Sequence, residues 1–271
     1  MAARSRSKTG KAKRSLRRPA RRGPILPPTS PEAQREALAD CLSRERMEAF
    51  AAALRPQGEP ADQPVKALHD AVREAYDVCE SMMDELQLDP PLACKRGCIH
   101  CCYNQVAVTE PEALFLGLHL LGTRSPERLR DLADRARALA DGLKGKSWRE
   151  IGMIRHRLPC LFLEDGGCSV YPARPLACRG WNSVDETMCL RSNLSQDAMT
   201  PIENHPIMRQ IADAIQSGLL RGASSLGLEA GYLLMARAMA LLLSDDPEQG
   251  LIDGTADWLD GKPFFGRKTE W

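Results

Sequence analysis

The chain has 271 residues, 43% of them hydrophobic, enough for one large core or two small ones without external staples. Its net charge of +1 hides an asymmetry: residues 1–22 hold ten Lys and Arg and no acid, which leaves 27 bases against 36 acids in the remainder, a net of −9. The basic start runs into Gly23, Pro24, Pro27 and Pro28 rather than into the apolar stretch of a secretory signal, and the most apolar run, Gly231 to Leu243, is broken by Arg237, so a cytoplasmic protein with no membrane partner is expected.

Residues 1–29, rich in Arg, Lys, Ser and Pro, have too little apolar surface to offset the entropy of ordering, and a disordered basic tail is expected there. Such a tail could contact nucleic acid through its charge, solubilise the chain, or serve as a transit peptide. Residues 30–271 are expected to form a single helical domain with a cysteine-cluster core at about 90–192. Ser30-Pro31-Glu32 is a helix start, followed by Ala37, Leu38, Cys41, Leu42 and Met47 at helical spacing. A second helix is predicted from about Pro64 to Leu86, with Leu68, Val72, Ala75 and Val78 along one stripe, and Asp89-Pro90-Pro91 bars its continuation.

Thr109 and Glu112 form a capping box with Pro111 between them, opening an apolar helix through Leu114, Leu118 and Leu121. Ser125-Pro126 starts another that runs to about Leu143. From Leu158 the helical rhythm stops: Leu161-Phe162-Leu163, then Asp165-Gly166-Gly167, then Ser169-Val170-Tyr171 reads as a hairpin turned by glycine. Helices about Ile207–Leu220 and Ala230–Leu243 follow, the latter apolar on most faces. The expected fold class is therefore mainly α, a helical domain with a short β-hairpin and cysteine-rich metal-binding loops.

Eight of the ten cysteines fall between positions 94 and 189. Without an export signal, such thiols stay reduced and favour metal binding over a disulfide framework. Cys94, Cys98, Cys101 and Cys102 crowd a loop in which Gly97 lets the backbone curl, and this spacing suits zinc and iron-sulfur clusters alike. Cys160, Cys168, Cys178 and Cys189 are more widely spaced, and a hairpin would bring the first two together. Four plus four allows two four-cysteine sites, or one cluster drawing ligands from both segments with spare thiols beside it. Cys41 and Cys79, in ordinary helical segments, read as small buried hydrophobes. His100 is an alternative ligand within the first cluster, and Lys95, Arg96, Arg174 and Arg179 concentrate positive charge around the centre, unless the last two pair with structural carboxylates. Tyr171 is expected to pack beneath the hairpin, His119 to be a core histidine, and Trp181 to close the site from water.

The run Pro159-Cys160-Leu161-Phe162-Leu163, then Cys168-Ser169-Val170-Tyr171 and Arg174-Pro175-Leu176-Ala177-Cys178-Arg179, downstream of a loop ending Cys101-Cys102, resembles the YkgJ-type cysteine-cluster family, also described as a zinc- or iron-chelating domain. The resemblance covers about 100 residues. It implies metal ligands at Cys94, Cys98, Cys101, Cys102, Cys160, Cys168 and Cys178, extending to Cys189. This chain departs from the family in one respect, with three residues rather than the usual two between its first two cysteines.

The expected function is metal binding, with an iron-sulfur cluster or zinc serving metal handling, redox chemistry or fold stability, with or without a protein partner. An iron-sulfur enzyme assisting group transfer is the alternative; similar cysteine patterns occur in flagellin lysine methylases, although no methyl-donor site is recognisable here. A structural-zinc interaction module with a nucleic-acid-binding tail is the third reading. No phosphate-binding loop, dinucleotide fingerprint or nucleophile elbow is present.

Overall fold

The computed structural model describes residues 30–55, 63–195, 200–243 and 246–263, so the expected basic tail lies outside the described residues. The fold is mainly helical, as the sequence predicts. Helix α1 spans Pro31–Leu54, and the Ser30 hydroxyl accepts from Ala33 N at 3.1 Å to cap it. Helix α2, Gln63–Asp84, buries Leu68, Val72, Ala75, Tyr76 and Cys79 along one stripe. The cysteine loop and a short 3-10 turn, His100–Tyr103, lead to strand β1, Ala107–Thr109. Helices α3, Glu110–Thr123, α4, Pro126–Leu143, and α5, Trp148–Ile154, follow.

The predicted hairpin is present as β2, Leu163–Glu164, and β3, Gly167–Cys168, with Leu163 opposite Cys168. Asp165 and Gly166 turn it with φ of 47° and 73°, the two successive positive values that a tight hairpin turn of matching twist requires. Beyond it come α6, Leu176–Gly180, α7, Glu186–Leu194, and α8, Pro206–Ser225. The segment expected to be a helix from Ala230 instead begins as strand β4, Tyr232–Leu234, and becomes helix α9 only at Met235–Leu242. The reason is a distant partner: β4 pairs antiparallel with β1, Ala107 opposite Leu234, and local periodicity carries no trace of that pairing. Helix α10, Pro247–Leu259, completes the described fold. Among the described residues, no helix is long and apolar enough to cross a membrane.

Helix α1 lies along α8, and α8 also receives α6; α4 and α10 pack on α9. The α1–α8 approach depends on missing side chains. A Cβ on Gly218 would stand 2.5 Å from Arg46 Cβ and 2.8 Å from Ser43 O, and one on Gly222 would stand 2.8 Å from Phe50 Cδ1.

One carboxylate joins four elements near the centre. Glu112 Oε2 accepts from Thr109 N at 3.0 Å, from the Thr109 hydroxyl at 3.0 Å and from Gln216 Nε2 of α8 at 2.7 Å. Its Oε1 accepts from Leu176 N, the first residue of α6, at 2.9 Å, and the Tyr76 hydroxyl of α2 stands 3.5 Å away. Burial raises the Glu112 pKa, opposed by the donors from Thr109, Gln216 and Leu176. Its neighbour Glu110, also buried, accepts from Gly231 N at 2.8 Å and so fastens the start of α3 to the residue before β4.

Gly218→Ala should destabilise the fold by about 1–2 kcal/mol, because forced overpacking outweighs the gain of about 1 kcal/mol in helix propensity; urea denaturation measures it. Burial pushes the Glu110 carboxyl up to about 7. The folded state therefore keeps a proton that the unfolded chain releases at its ordinary value of about 4.3. Stability should fall as pH rises through this window and level off above the folded pKa, a loss on the order of 3 kcal/mol. Glu110→Gln, which retains an acceptor for Gly231, should remove that component, and the difference in urea midpoint between the two proteins across pH 4.5–8 checks it.

Candidate metal centre

The cysteine loop is held at both ends. Ala93 N donates to Ser183 O at 2.9 Å, and the Cys94 thiol lies 3.8 Å from the same oxygen. The three-residue spacer between Cys94 and Cys98 is absorbed by a turn in which Cys98 N donates to Lys95 O at 3.0 Å and Gly97 takes φ of 88°. Only glycine adopts that conformation without strain. Cys101 and Cys102 then sit on the 3-10 turn, where Cys102 N bonds Ile99 O at 2.9 Å.

The second cysteine segment docks directly on the first: Cys160 N donates to Cys102 O at 2.7 Å. The β2–β3 hairpin then turns the chain back, setting Cys168 opposite Leu163, three residues beyond Cys160. Cys178 follows two residues after Leu176, whose amide Glu112 holds. Cys189 lies in α7. Cys94 and Cys101 are exposed residues, and the other six of the eight are of intermediate burial.

The thiols perturb one another in two overlapping groups. Burial raises the pKa of Cys94 and of Cys189, and nearby Cys98 and Cys101 raise both further. Burial pushes Cys160 up to about 11, with Cys168 and Cys101 adding to it. Cys178 is driven well above its ordinary value, first by burial, then by Cys160 and Cys101, against an opposing pull from Arg174. Cys101 belongs to both groups; its own pKa is raised first by a hydrogen bond with Cys102 and then by burial. Burial and mutual repulsion disfavour the thiolate forms of Cys94, Cys160, Cys178 and Cys189, and a cation among them would favour ionisation. The donor set thus fits a thiolate-bound metal.

The arginines around Cys178 divide between the two expected roles. The Arg179 side chain is 3% exposed and acts structurally: Nε donates to Arg174 O at 2.8 Å, a terminal nitrogen donates to Pro172 O at 3.0 Å, Glu80 of α2 pairs with it, and the guanidinium stacks 4.6 Å from the Tyr76 ring. Arg174 instead lowers the pKa of Cys178 and Cys101, and its Nε has no hydrogen-bond partner among the described residues. Arg174 also lies over the Tyr171 ring at 4.7 Å. Tyr171 itself is exposed, which corrects the expectation that it packs beneath the hairpin.

Outside the eight, Cys79 is fully buried, and burial pushes its thiol up to about 12. Cys41 is exposed on α1, because the buried face of that helix runs through Leu42, Arg46 and Phe50 instead. His119 is half-buried, with its pKa lowered by burial and by Arg124 and Arg73. Trp181 lines the pocket but is itself 41% exposed, so it flanks the opening rather than sealing it.

A cavity of about 30 Å³ lies among Cys94, Cys98, Cys101 and Cys189, with His100 and Arg155 also lining it. The sequence reading missed Arg155, which lines the cavity, and Glu186, which does not but whose Oε1 lies 3.7 Å from His100 Nε2. Arg155 donates to Asn104 Oδ1 at 2.9 Å and pairs with the Ser192 hydroxyl, bridging the 3-10 turn to α7. Glu186 follows the Asp185 cap of α7, so in sequence it is indistinguishable from an ordinary first-turn acid.

Residues 93–197 match the model of the CxxCxxCC family, described as a putative zinc- or iron-chelating domain. This is the family suggested by the cysteine motifs, and the stretch contains all eight clustered cysteines. No curated protein and no solved structure matches the chain.

Replacing Arg179 with Lys keeps the charge but loses the fork that grips Arg174 O, Pro172 O and the Tyr76 face. Arg179→Lys should cost roughly 2 kcal/mol in urea denaturation and should speed alkylation of Cys178 in metal-free protein.

Proposed function

We propose that this chain is a metal-binding protein that holds zinc or an iron-sulfur cluster on thiolates from its two cysteine segments. The observation that carries the reading is the convergence of the two cysteine segments: Cys94, Cys98 and Cys101 of the first share one cavity with Cys189, and Cys160 N donates to Cys102 O, within the stretch that matches the zinc- or iron-chelating family. On this reading the eight cysteines of residues 94–189 serve as the donor set, four of them lining the cavity and the other four lying on the segments packed against it. Cys102, Cys160, Cys168 and Cys178 would hold metal at the inner end, with Cys94, Cys98 and Cys189 at the outer end and Cys101 between them.

When bound, the metal supplies the positive charge that lets neighbouring thiols ionise together, and in the iron-sulfur form it also supplies a one-electron couple. The protein does the rest. Glu112 and Arg179 hold the backbone around Cys178, the hairpin presents Cys168 to Cys160, and Arg174 offsets negative charge from the thiolates. Such neighbours orient ligands and tune a centre without touching the metal. The role that follows is metal handling, redox poise or stabilisation of the fold.

The test is anaerobic purification followed by metal and sulfide analysis with visible absorption. Stoichiometric iron and sulfide with a broad visible charge-transfer band identifies a cluster, and colourless protein with stoichiometric zinc identifies the zinc form. Cys178→Ser should lose bound metal, whereas Cys41→Ser, on the exposed side of α1, should keep it. A fully folded, anaerobically prepared protein that contains no metal and whose thiols alkylate freely would overturn the proposal.

A further inference from the structure

The outer end of the thiol pocket carries two ligating groups that are not cysteines. One ligand atom each from Cys98, His100 and Glu186 lie within 4.8 Å of one another, a separation that a single ion can span. The groups come from different places: Cys98 and His100 from the cysteine loop, Glu186 from the first turn of α7.

The scaffold fixes each of the three. Asn193 of α7 donates from Nδ2 to His100 O at 2.9 Å, so the helix that presents Glu186 also anchors the backbone of His100. Lys95 Nζ donates to Glu186 Oε2 at 2.7 Å, while Oε1 lies 3.7 Å from His100 Nε2. One carboxylate oxygen is tethered and the other faces the imidazole, the disposition of a monodentate ligand steadied from behind. Cys98 is oriented by the Lys95–Cys98 turn that Gly97 permits.

Thiolate, imidazole and carboxylate together are a mixed sulfur, nitrogen and oxygen set. Zinc and other divalent first-row ions accept such a set, whereas an iron-sulfur cluster is held chiefly by thiolates. His100 and Glu186 have side-chain exposures of 19% and 42%, so the group stands at the solvent side of the pocket. Three protein ligands leave a fourth position for water or an incoming donor.

We propose that Cys98, His100 and Glu186 form a second, mononuclear site for a divalent metal at the mouth of the pocket, distinct from the centre held by Cys102, Cys160, Cys168 and Cys178. The proposal rests on reading the cysteine pocket as a metal site and adds an outer position that exchanges with solvent.

The test uses the full chain reconstituted anaerobically with zinc alone. Zinc stoichiometry and X-ray absorption are compared for the wild type, His100→Ala/Glu186→Gln and Cys178→Ser, with circular dichroism confirming the fold of each. The wild type should show nitrogen or oxygen scatterers at about 2.0 Å beside sulfur at about 2.3 Å. The double variant should lose about one zinc per chain together with the nitrogen and oxygen contribution, keeping an all-sulfur shell. Glu186→Gln alone should release its outer zinc to a chelator faster than the wild type. A sulfur-only shell in the wild type, or a double variant with unchanged stoichiometry and spectrum, overturns the outer site. If the double variant is unchanged while Cys178→Ser loses zinc, the outer site fails and the general metal-binding reading stands; a zinc-free wild type sinks the outer site, and the metal-binding reading falls with it only if anaerobically prepared protein also holds no iron.

Discussion

A buried carboxylate is stable only where enough donors replace the water it has lost, and Glu112 meets that condition with the amides of Thr109 and Leu176, the Thr109 hydroxyl and the Gln216 amide. The four donors come from three separate parts of the chain, two of them from Thr109. The carboxylate therefore cannot be satisfied by a partial fold, since removing any one partner leaves a charged or polar group buried without compensation. Helices α3, α6 and α8 are in this way tied to a common point, with the Tyr76 hydroxyl of α2 beside it. Apolar packing around Leu114, Phe115, Ile215 and Leu219 supplies the bulk of the burial, but it has no direction of its own. The carboxylate provides the direction.

The cysteine pocket is an extension of that hub. Leu176 N begins the short helix on which Cys178 sits, and one residue beyond Cys178 the Arg179 guanidinium reaches back to two carbonyls, to Glu80 and to the Tyr76 face. The motif Arg174-Pro175-Leu176-Ala177-Cys178-Arg179 thus divides its labour. Its second arginine locks the loop to α2, its first faces the sulfur charges, and Pro175 accepts the Cys178 amide at 2.9 Å. A scheme that assigns both arginines to the thiolates, or both to salt bridges, misses this division.

Features that depend on neighbouring residues were legible in the sequence. Ser30, Ser125 and the Thr109/Glu112 pair mark helix starts because capping is a contact across three residues, and Asp165-Gly166 marks the hairpin because its turn needs two positive φ values in succession. The family match to residues 93–197 likewise follows from motifs visible as spacing. What depends on distant partners was hidden. Tyr232–Leu234 has helix-compatible composition and becomes a strand only because β1 is available beside it. Glu112 reads locally as half of a capping box, and nothing nearby announces Gln216 or Leu176 as its other partners. His100 was visible as a ligand type within the loop, but Glu186 has no sequence signature apart from its place after a helix cap. Cys41 shows the opposite error: a residue consistent with an apolar stripe by spacing lies outside, because α1 buries Leu42, Ser43, Arg46 and Phe50 instead, the last three against the glycines of α8.

The location of Gln216 has a temporal meaning. A ribosome releases the chain from its N-terminus, so the last clustered cysteine, Cys189, emerges before the residue that completes the donor set of Glu112 and before the glycines against which α1 docks. During that interval of synthesis the sulfurs are present but their scaffold is open. A cation captured early meets a flexible string of thiols, and one captured after Gln216 has docked meets a preformed cradle. For the proposed metal site, loading of the nascent chain and of the mature fold would therefore be separated by the time taken to translate the stretch between Cys189 and Gln216.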